Sequence, residues 1–153
     1  MGLTLAFYIG DSKEIERAIR ECEIDLLYDP EVVHRQADLS LHILPKDPNL
    51  LSRQFGKHSG RKPLDLRPYL SVIIDESDRG LLLVDNTWVM YAADVEADAV
   101  DNVVEDWFEA MRKEYPQEEI QVTPEAKLAV QALLELCKAA LQEGSTVLHS
   151  WFA

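Results

Sequence analysis

The stretch RQFGKHSGRKPLDLR, residues 53–67, gathers side chains that can bind an anion. Five of the fifteen Lys and Arg residues lie in it, against one acid, although the whole chain carries a formal charge of −13. The candidates for contacting the anion are Arg53, Lys57, His58 and Arg61. Arginine binds an oxyanion through a planar pair of donors, whereas lysine offers a point charge. The sequence therefore predicts a binding site here for a carboxylate, a phosphate or an acidic patch of a partner.

Two features of the same stretch allow a structural explanation instead. Cations near a helix C-terminus stabilise the helix dipole, and they also pair with carboxylates of their own chain at about 0–1 kcal/mol each on the surface. The motif is not a phosphate loop, since no strand precedes it and no Gly-Lys-Ser/Thr follows. Ser52, His58 and Asp65 are close in sequence, but a catalytic triad is defined by geometry in space. No Gly-x-Ser-x-Gly motif marks a serine nucleophile.

A second candidate surface is acidic. Asp94, Asp98, Asp101 and Glu105 are spaced by four, three and four residues, which places them on one face of a predicted helix. Such a stripe can attract a basic protein and accelerate association. The alternative is a solvated helix face that serves solubility alone.

Metal, cofactor, nucleic-acid and membrane functions are not indicated. The chain has no Cys-x-x-Cys pair, and no two of its four histidines are three or four residues apart. The net charge repels polyanions, and no run of eighteen apolar residues is present. The start lacks a basic segment before its apolar run, so no signal peptide is predicted. Cys22 and Cys137 are expected to be buried, reduced thiols, and the protein is expected in the cytoplasm.

The first half of the chain predicts a strand followed by short helices. Residues 3–9 indicate a buried strand, and Asp11 begins a helix over 12–23. Asp29-Pro30 predicts a short helix that continues to residue 37. Residues 39–44 fit either a strand or a helix end. Asp47-Pro48 begins another helix, which Gly56 is expected to end, so that the basic stretch would continue into a loop.

The second half predicts a three-stranded meander and two long helices. The meander strands are placed at 70–75, 80–85 and 87–92. Apolar spacing predicts a helix over 95–114, and Thr123-Pro124 begins another that ends at Gly144. Residues 145–152 indicate a last strand. The fold class is α+β: one domain over 1–153, with an antiparallel or mixed sheet packed against two long helices.

Several short motifs resemble the YfbM-like family of small uncharacterised bacterial proteins. They are the Met-Gly start leading into a strand, LHIL at 41–44, DPNLLSRQFGKHSG at 47–60, and Tyr-Pro at 115–116 before a long helix and a final strand. The resemblance implies an α+β fold and a bacterial cytosolic source. It transfers no activity and no catalytic residue, and it draws attention to Ser52, Arg53 and His58.

Two classes of function follow. The first is a non-enzymatic binding or protein-interaction module, for example an inhibitor or immunity-type protein, whose partner is a basic protein or a small anion. The second is a small hydrolase or transferase that acts on an anionic substrate through residues 53–67, with His58 and neighbouring arginines acting on the substrate. The absence of a dense group of catalytic side chains in the sequence favours the first.

Overall fold

Five antiparallel strands form one sheet in the computed structural model, which describes residues 3–41 and 47–153. In chain order they are β1 (Thr4–Gly10), β2 (Val33–Asp38), β3 (Leu70–Asp75), β4 (Arg79–Val84) and β5 (Val147–Phe152). Across the sheet the order is β2-β1-β5-β4-β3. The last strand of the chain is therefore the central one, and it joins two pairs of strands that are distant in sequence.

Helices cover both faces of the sheet. They are α1 (Ser12–Arg20), α2 (Asp47–Ser59), α3 (Asn86–Ala93), α4 (Val100–Glu114) and α5 (Pro124–Glu143), with short 3-10 turns at 24–28, 67–69 and 97–99. Helix α1 packs on one face and contacts β3 and β4. The other four lie on the opposite face, where α5 covers β1 and β2. The predicted α+β class, with an antiparallel sheet and two long helices, is confirmed.

Helix α5 begins and ends as the sequence predicts, and α4 ends at Glu114 as predicted. Thr123 Oγ1 accepts a hydrogen bond from the Ala126 N–H, and Gly144 follows α5 with φ +67°. In α4 the six large apolar residues that recur at helical spacing are all buried: Val100, Val103, Val104, Trp107, Phe108 and Met111. Apolar spacing in the sequence predicts an inner face of α5 that includes Leu128, and this is partly wrong, because Leu128 is 66% exposed while Val130 and Leu134 are buried. Since α5 packs between the sheet and helices α3 and α4, its buried face is turned away from the predicted stripe.

The helix predicted from Pro30 to residue 37 is wrong, because this segment is a turn followed by β2. The Asp29 carbonyl accepts from the N–H groups of Val32 and Val33, and the Asp29 side chain accepts from the Glu31 N–H. These bonds direct the chain back along β1, with which β2 pairs. Asp-Pro serves equally in a turn and at a helix start, and pairing with β1 decides between them.

The third meander strand, predicted over 87–92, is also wrong: these residues form α3. Asp85 accepts from the Thr87 N–H and caps the helix. The buried side chains of α3 are Trp88, Val89, Tyr91 and Ala92, a spacing that suits a helix. A short apolar run does not distinguish strand from helix. The first two meander strands, β3 and β4, are confirmed.

Three smaller predictions also differ from the structure. Helix α1 ends at Arg20 rather than at residue 23. Cys22 is exposed and has φ 56°, so only Cys137 is the buried thiol that the sequence predicts. The strand or helix end predicted over 39–44 lies mostly outside the described residues, and Leu39–Leu41 belong to neither element. None of the helices in the described ranges combines the length and hydropathy needed to cross a membrane.

Candidate functional site

The first part of the basic stretch, residues 53–59, is helical, and the loop follows it. Helix α2 continues through Gly56 to Ser59, and Gly60 follows with φ +71°. The prediction that Gly56 ends the helix is therefore wrong. A Cβ at Gly56 would lie 2.7 Å from Tyr91 Oη and 2.9 Å from the Lys62 carbonyl oxygen. The glycine is needed because another part of the chain packs directly against the helix backbone at this point.

Each of the four predicted anion-binding residues contacts a carboxylate of its own chain. Arg53 Nε lies 2.7 Å from Asp65 Oδ1, and Arg61 pairs with Asp94. Asp106 Oδ2 accepts from Lys57 Nζ at 2.9 Å and lies 2.7 Å from His58 Nε2. The hydrogen bond from Lys57, opposed by partial burial and aided by His58, lowers the pKa of Asp106.

The contacts of Arg53, Lys57 and His58 hold α2 against α4 and against the segment that follows α2. The pair formed by Arg61 holds that segment against the end of α3. An external anion would have to displace a carboxylate to reach any of these four side chains. Exposed pairs of this kind contribute about 0–1 kcal/mol each, so displacement is not prohibitive. Anion binding at Arg53, Lys57, His58 and Arg61 stays a prediction.

The four acidic residues of the predicted stripe do not share one helix. Asp94 follows the last residue of α3, Asp98 lies in the 3-10 turn at 97–99, and Asp101 and Glu105 lie in α4. The predicted helix start at residue 95 is wrong, because α4 begins at Val100. All four carboxylates are exposed. Two of them face cations, Asp94 with Arg61 and Asp101 with Lys127 at 3.4 Å. Binding of a basic protein by these residues stays a prediction.

A cavity of about 620 Å³, which sequence reasoning missed, opens on the face of the sheet that carries α2. One row of residues that pair across the strands shows why the cavity lies at this place. It runs Ala37, Phe7, His149, Leu82, Val72. The first two are fully buried under the helices, whereas Val72 is 64% exposed. The helices on this face cover β1 and β2 and leave β4 and β3 open, so the cavity forms where the covering ends.

Within the described residues, the cavity is lined by five leucines, Pro48, Trp151 and three polar residues. These are Asn49, Arg67 and His149. Asn49 Oδ1 accepts from the backbone N–H groups of Leu66 and Arg67 at 2.9 and 3.0 Å. These two bonds fasten the segment before the 3-10 turn at 67–69 to the first turn of α2, and so fix one wall of the cavity.

His149 contributes a hydrogen-bond acceptor to this lining. Its side chain is buried, its ring stacks on Phe7 at 4.3 Å between centroids, and Nδ1 lies 2.9 Å from the Ala6 carbonyl oxygen. A carbonyl oxygen only accepts, so Nδ1 carries the proton and Nε2 is left as an acceptor. Burial lowers the pKa of His149 to about 4, so the ring is neutral at pH 7. Nε2 has no hydrogen-bond partner anywhere in 3–41 and 47–153.

Trp151 forms another wall because β4 has a glycine opposite it. Gly80 pairs with Trp151 across the strands, and a Cβ at this position would overlap the indole Nε1. Gly80 thus lets the ring lie over β4. The indole N–H groups of Trp88 and Trp107 donate to Ser52 Oγ and to the Asp47 carbonyl oxygen. The indole N–H group of Trp151 has no acceptor among the residues that the structure describes.

A second cavity of about 600 Å³ lies beside α4 and is lined by acids. Asp47, Glu118, Glu119 and Glu125 contribute to it, and the Tyr115 hydroxyl donates to Asp47 Oδ1 at 2.8 Å. Across the described ranges, no group of three or more His, Cys, Asp or Glu side chains is arranged to hold a metal ion. We therefore take the leucine-lined cavity as the candidate site.

The sequence held one signal for this site. His149 and Trp151 are two residues apart on a predicted strand, a spacing that puts both side chains on the same face. Because His149 is flanked by apolar residues on a predicted strand, the sequence predicts a hydrogen-bonded structural histidine, and its bond to Ala6 agrees with this. The position of the cavity depends on the order of the strands, which the sequence does not determine.

No family model, curated protein or solved structure matches this chain, and the resemblance to the YfbM-like family therefore stays an expectation.

Proposed function

We propose that this protein is a non-enzymatic binding module that takes a small, largely apolar ligand into the cavity beside β4 and β5. The observation that carries the proposal is His149, a buried and neutral imidazole with an unpaired Nε2 acceptor in a leucine-lined wall. Within the described residues Nε2 has no hydrogen-bond partner, and it is not closed off from solvent, so a donor group that enters the cavity can reach it. A ligand with an O–H or N–H donor satisfies this atom, and 620 Å³ is within the range of small-molecule sites.

The lining favours binding over catalysis. In its described part it contains no Ser, Thr, Cys, Asp, Glu or Lys, so neither a nucleophile nor a carboxylate adjoins His149. A histidine whose pKa is about 4 is also a weak base at neutral pH. We further propose a bacterial cytoplasmic protein, as the family resemblance implies.

A hydrolase or transferase acting on an anion through residues 53–67 is the alternative. It would use His58, which Asp106 orients through their 2.7 Å contact. His58 lines none of the cavities described above, so no enclosed space for a substrate adjoins it. The binding module is the better supported of the two.

Binding of 2-naphthol, a neutral aromatic probe with one O–H donor, tests the proposal by isothermal titration calorimetry. We expect a dissociation constant of about 0.1–1 mM, from the usual affinity per heavy atom of small ligands. Leu82→Glu places a carboxylate in the cavity wall and should weaken binding at least about tenfold. Leu83→Glu is the matched control, since the next residue of a strand points to the opposite face.

The proposal is wrong if the wild-type protein binds no 2-naphthol at millimolar concentration, or if the two glutamate variants lose affinity equally. Circular dichroism and thermal melting check that each variant is folded. Should Leu82→Glu fail to fold, Gly80→Ala replaces it. Its added methyl group displaces the Trp151 ring from β4 and is expected to weaken binding as well.

A further inference from the structure

We infer that the ligand of this cavity is a monoanion, an apolar molecule with one carboxylate that Arg67 binds. The inference rests on the proposed function and names the chemical class of its ligand. Arg67 belongs to the basic stretch that the sequence singles out, and it lines the cavity. It is not among the four residues that the sequence predicts to contact an anion.

Arg67 differs from the other arginines of the basic stretch in having no carboxylate partner. Arg53 and Arg61 are each neutralised by an aspartate of the same chain. The side chain of Arg67 makes no ion pair or hydrogen bond with any residue in the described ranges, and it is exposed to solvent. In a chain with 28 Asp and Glu residues, an arginine that remains unpaired at the edge of an apolar cavity is available to a ligand.

The backbone around Arg67 is fixed before any ligand arrives. Asn49 accepts from its N–H, and the 3-10 turn at 67–69 begins at this residue. Only the arginine side chain has to become ordered on binding, which reduces the entropic cost. Guanidinium and carboxylate are planar and form two parallel hydrogen bonds, so this pair is both strong and directional.

The charge of the protein selects among anions. A single arginine balances one negative charge of the ligand. The net charge of −13 on the protein repels a second negative charge on the same ligand. A monoanionic carboxylate is therefore favoured over a dianionic phosphate. His149 sets the orientation, because the Nε2 lone pair repels a carboxylate and attracts a donor. The carboxylate lies at Arg67, and an O–H or N–H group of the ligand points to His149.

Four probes with one ring system test the inference by calorimetry: 2-naphthol, 2-naphthoate, 6-hydroxy-2-naphthoate and 2-naphthyl phosphate. We expect wild-type protein to bind 2-naphthoate about tenfold more tightly than 2-naphthol, as a charge-assisted pair of hydrogen bonds should provide. The phosphate should bind more weakly than 2-naphthoate. The hydroxynaphthoate should bind at least as tightly as 2-naphthoate, because it supplies both groups.

Arg67→Gln should remove the preference for the carboxylate, measured as the ratio of the dissociation constants of 2-naphthol and 2-naphthoate for the same variant. Lys62→Gln is the matched control, because Lys62 is exposed, has no described ion-pair partner and does not line the cavity. It removes the same charge and should preserve the preference. Raising the salt concentration should reduce the preference in the wild type and not in Arg67→Gln.

The possible results separate the two proposals. If 2-naphthol binds and the preference for 2-naphthoate is absent, or survives Arg67→Gln, the monoanion inference is wrong while the binding function stands. Tighter binding of the phosphate contradicts the carboxylate class. If none of the four probes binds, the proposed function and the inference are both wrong.

Discussion

The wild-type protein is expected to lose about 3 kcal/mol of stability between pH 6.5 and pH 4 through His149 alone, and the variant His149→Phe should not show this loss. Burial lowers the pKa of His149 from 6.5 to about 4, and each unit of difference corresponds to about 1.4 kcal/mol. Phenylalanine keeps a planar ring against Phe7 and does not titrate.

The sign follows from proton linkage. Because the folded pKa is below the unfolded one, the unfolded chain binds the proton more readily between the two values. This contribution to stability is complete above pH 6.5 and is lost as the pH falls to about 4. Carboxylates such as Asp106, whose pKa is lowered in the folded protein, also contribute less to stability in acid. Their loss is the same in the wild type and in His149→Phe.

The quantity to measure is therefore the difference in the free energy of unfolding between wild type and His149→Phe, from urea denaturation at several pH values. The lost bond to the Ala6 carbonyl oxygen gives an offset that does not depend on pH. The difference should shift by about 3 kcal/mol in favour of the variant on going from pH 7 to pH 4. A difference that is constant over this range would show that His149 is not buried in its neutral form.

Gly56→Ala is expected to destabilise the protein by about 2 kcal/mol, although alanine is the better helix former by about 1 kcal/mol. The new methyl group would lie 2.9 Å from the Lys62 carbonyl oxygen and from Pro63 Cα, and neither backbone atom can move alone. It would also press on the Tyr91 hydroxyl, which donates to the Ser52 carbonyl oxygen and accepts from the Leu64 N–H.

Gly60→Ala is the control for this substitution. Gly60 has φ +71° and open space around its Cα, so alanine there costs about 1 kcal/mol in backbone strain and meets no neighbour. Urea denaturation should rank Gly56→Ala as the more destabilising of the two. If Gly56→Ala is neutral or stabilising, the close packing of 62–63 and α3 against α2 is not present in solution.

The parts of the fold that the sequence predicts correctly are those whose local signals agree with their tertiary environment. Helix α5 has a threonine cap before its first residue and Gly144 after its last. Strand β5 has the composition of a strand and also lies in the middle of the sheet. Residues 30–37 and 87–92 carry conflicting signals. Pairing with β1 decides the first, and packing of α3 against α5 decides the second. Neither interaction can be read from a short segment.

Only part of the candidate site can be predicted from the sequence. The cluster of cations at 53–67 is evident, but which of them are neutralised depends on carboxylates such as Asp106, 49 residues from Lys57. The cavity itself requires β5 to lie between β1 and β4, which places His149 between Phe7 and Leu82. Strand order is a property of the whole chain, so composition and spacing do not provide it.

The most direct test of a ligand site on this face is a titration of protein labelled with ¹⁵N at tryptophan, followed on the three indole N–H resonances. The resonance missing from Trp151→Phe identifies Trp151. With 2-naphthoate, we expect the Trp151 signal to shift and saturate. Those of Trp88 and Trp107, which donate inside the core, should stay in place. A Trp151 signal that does not move at millimolar ligand, or three signals that move alike, would contradict the account.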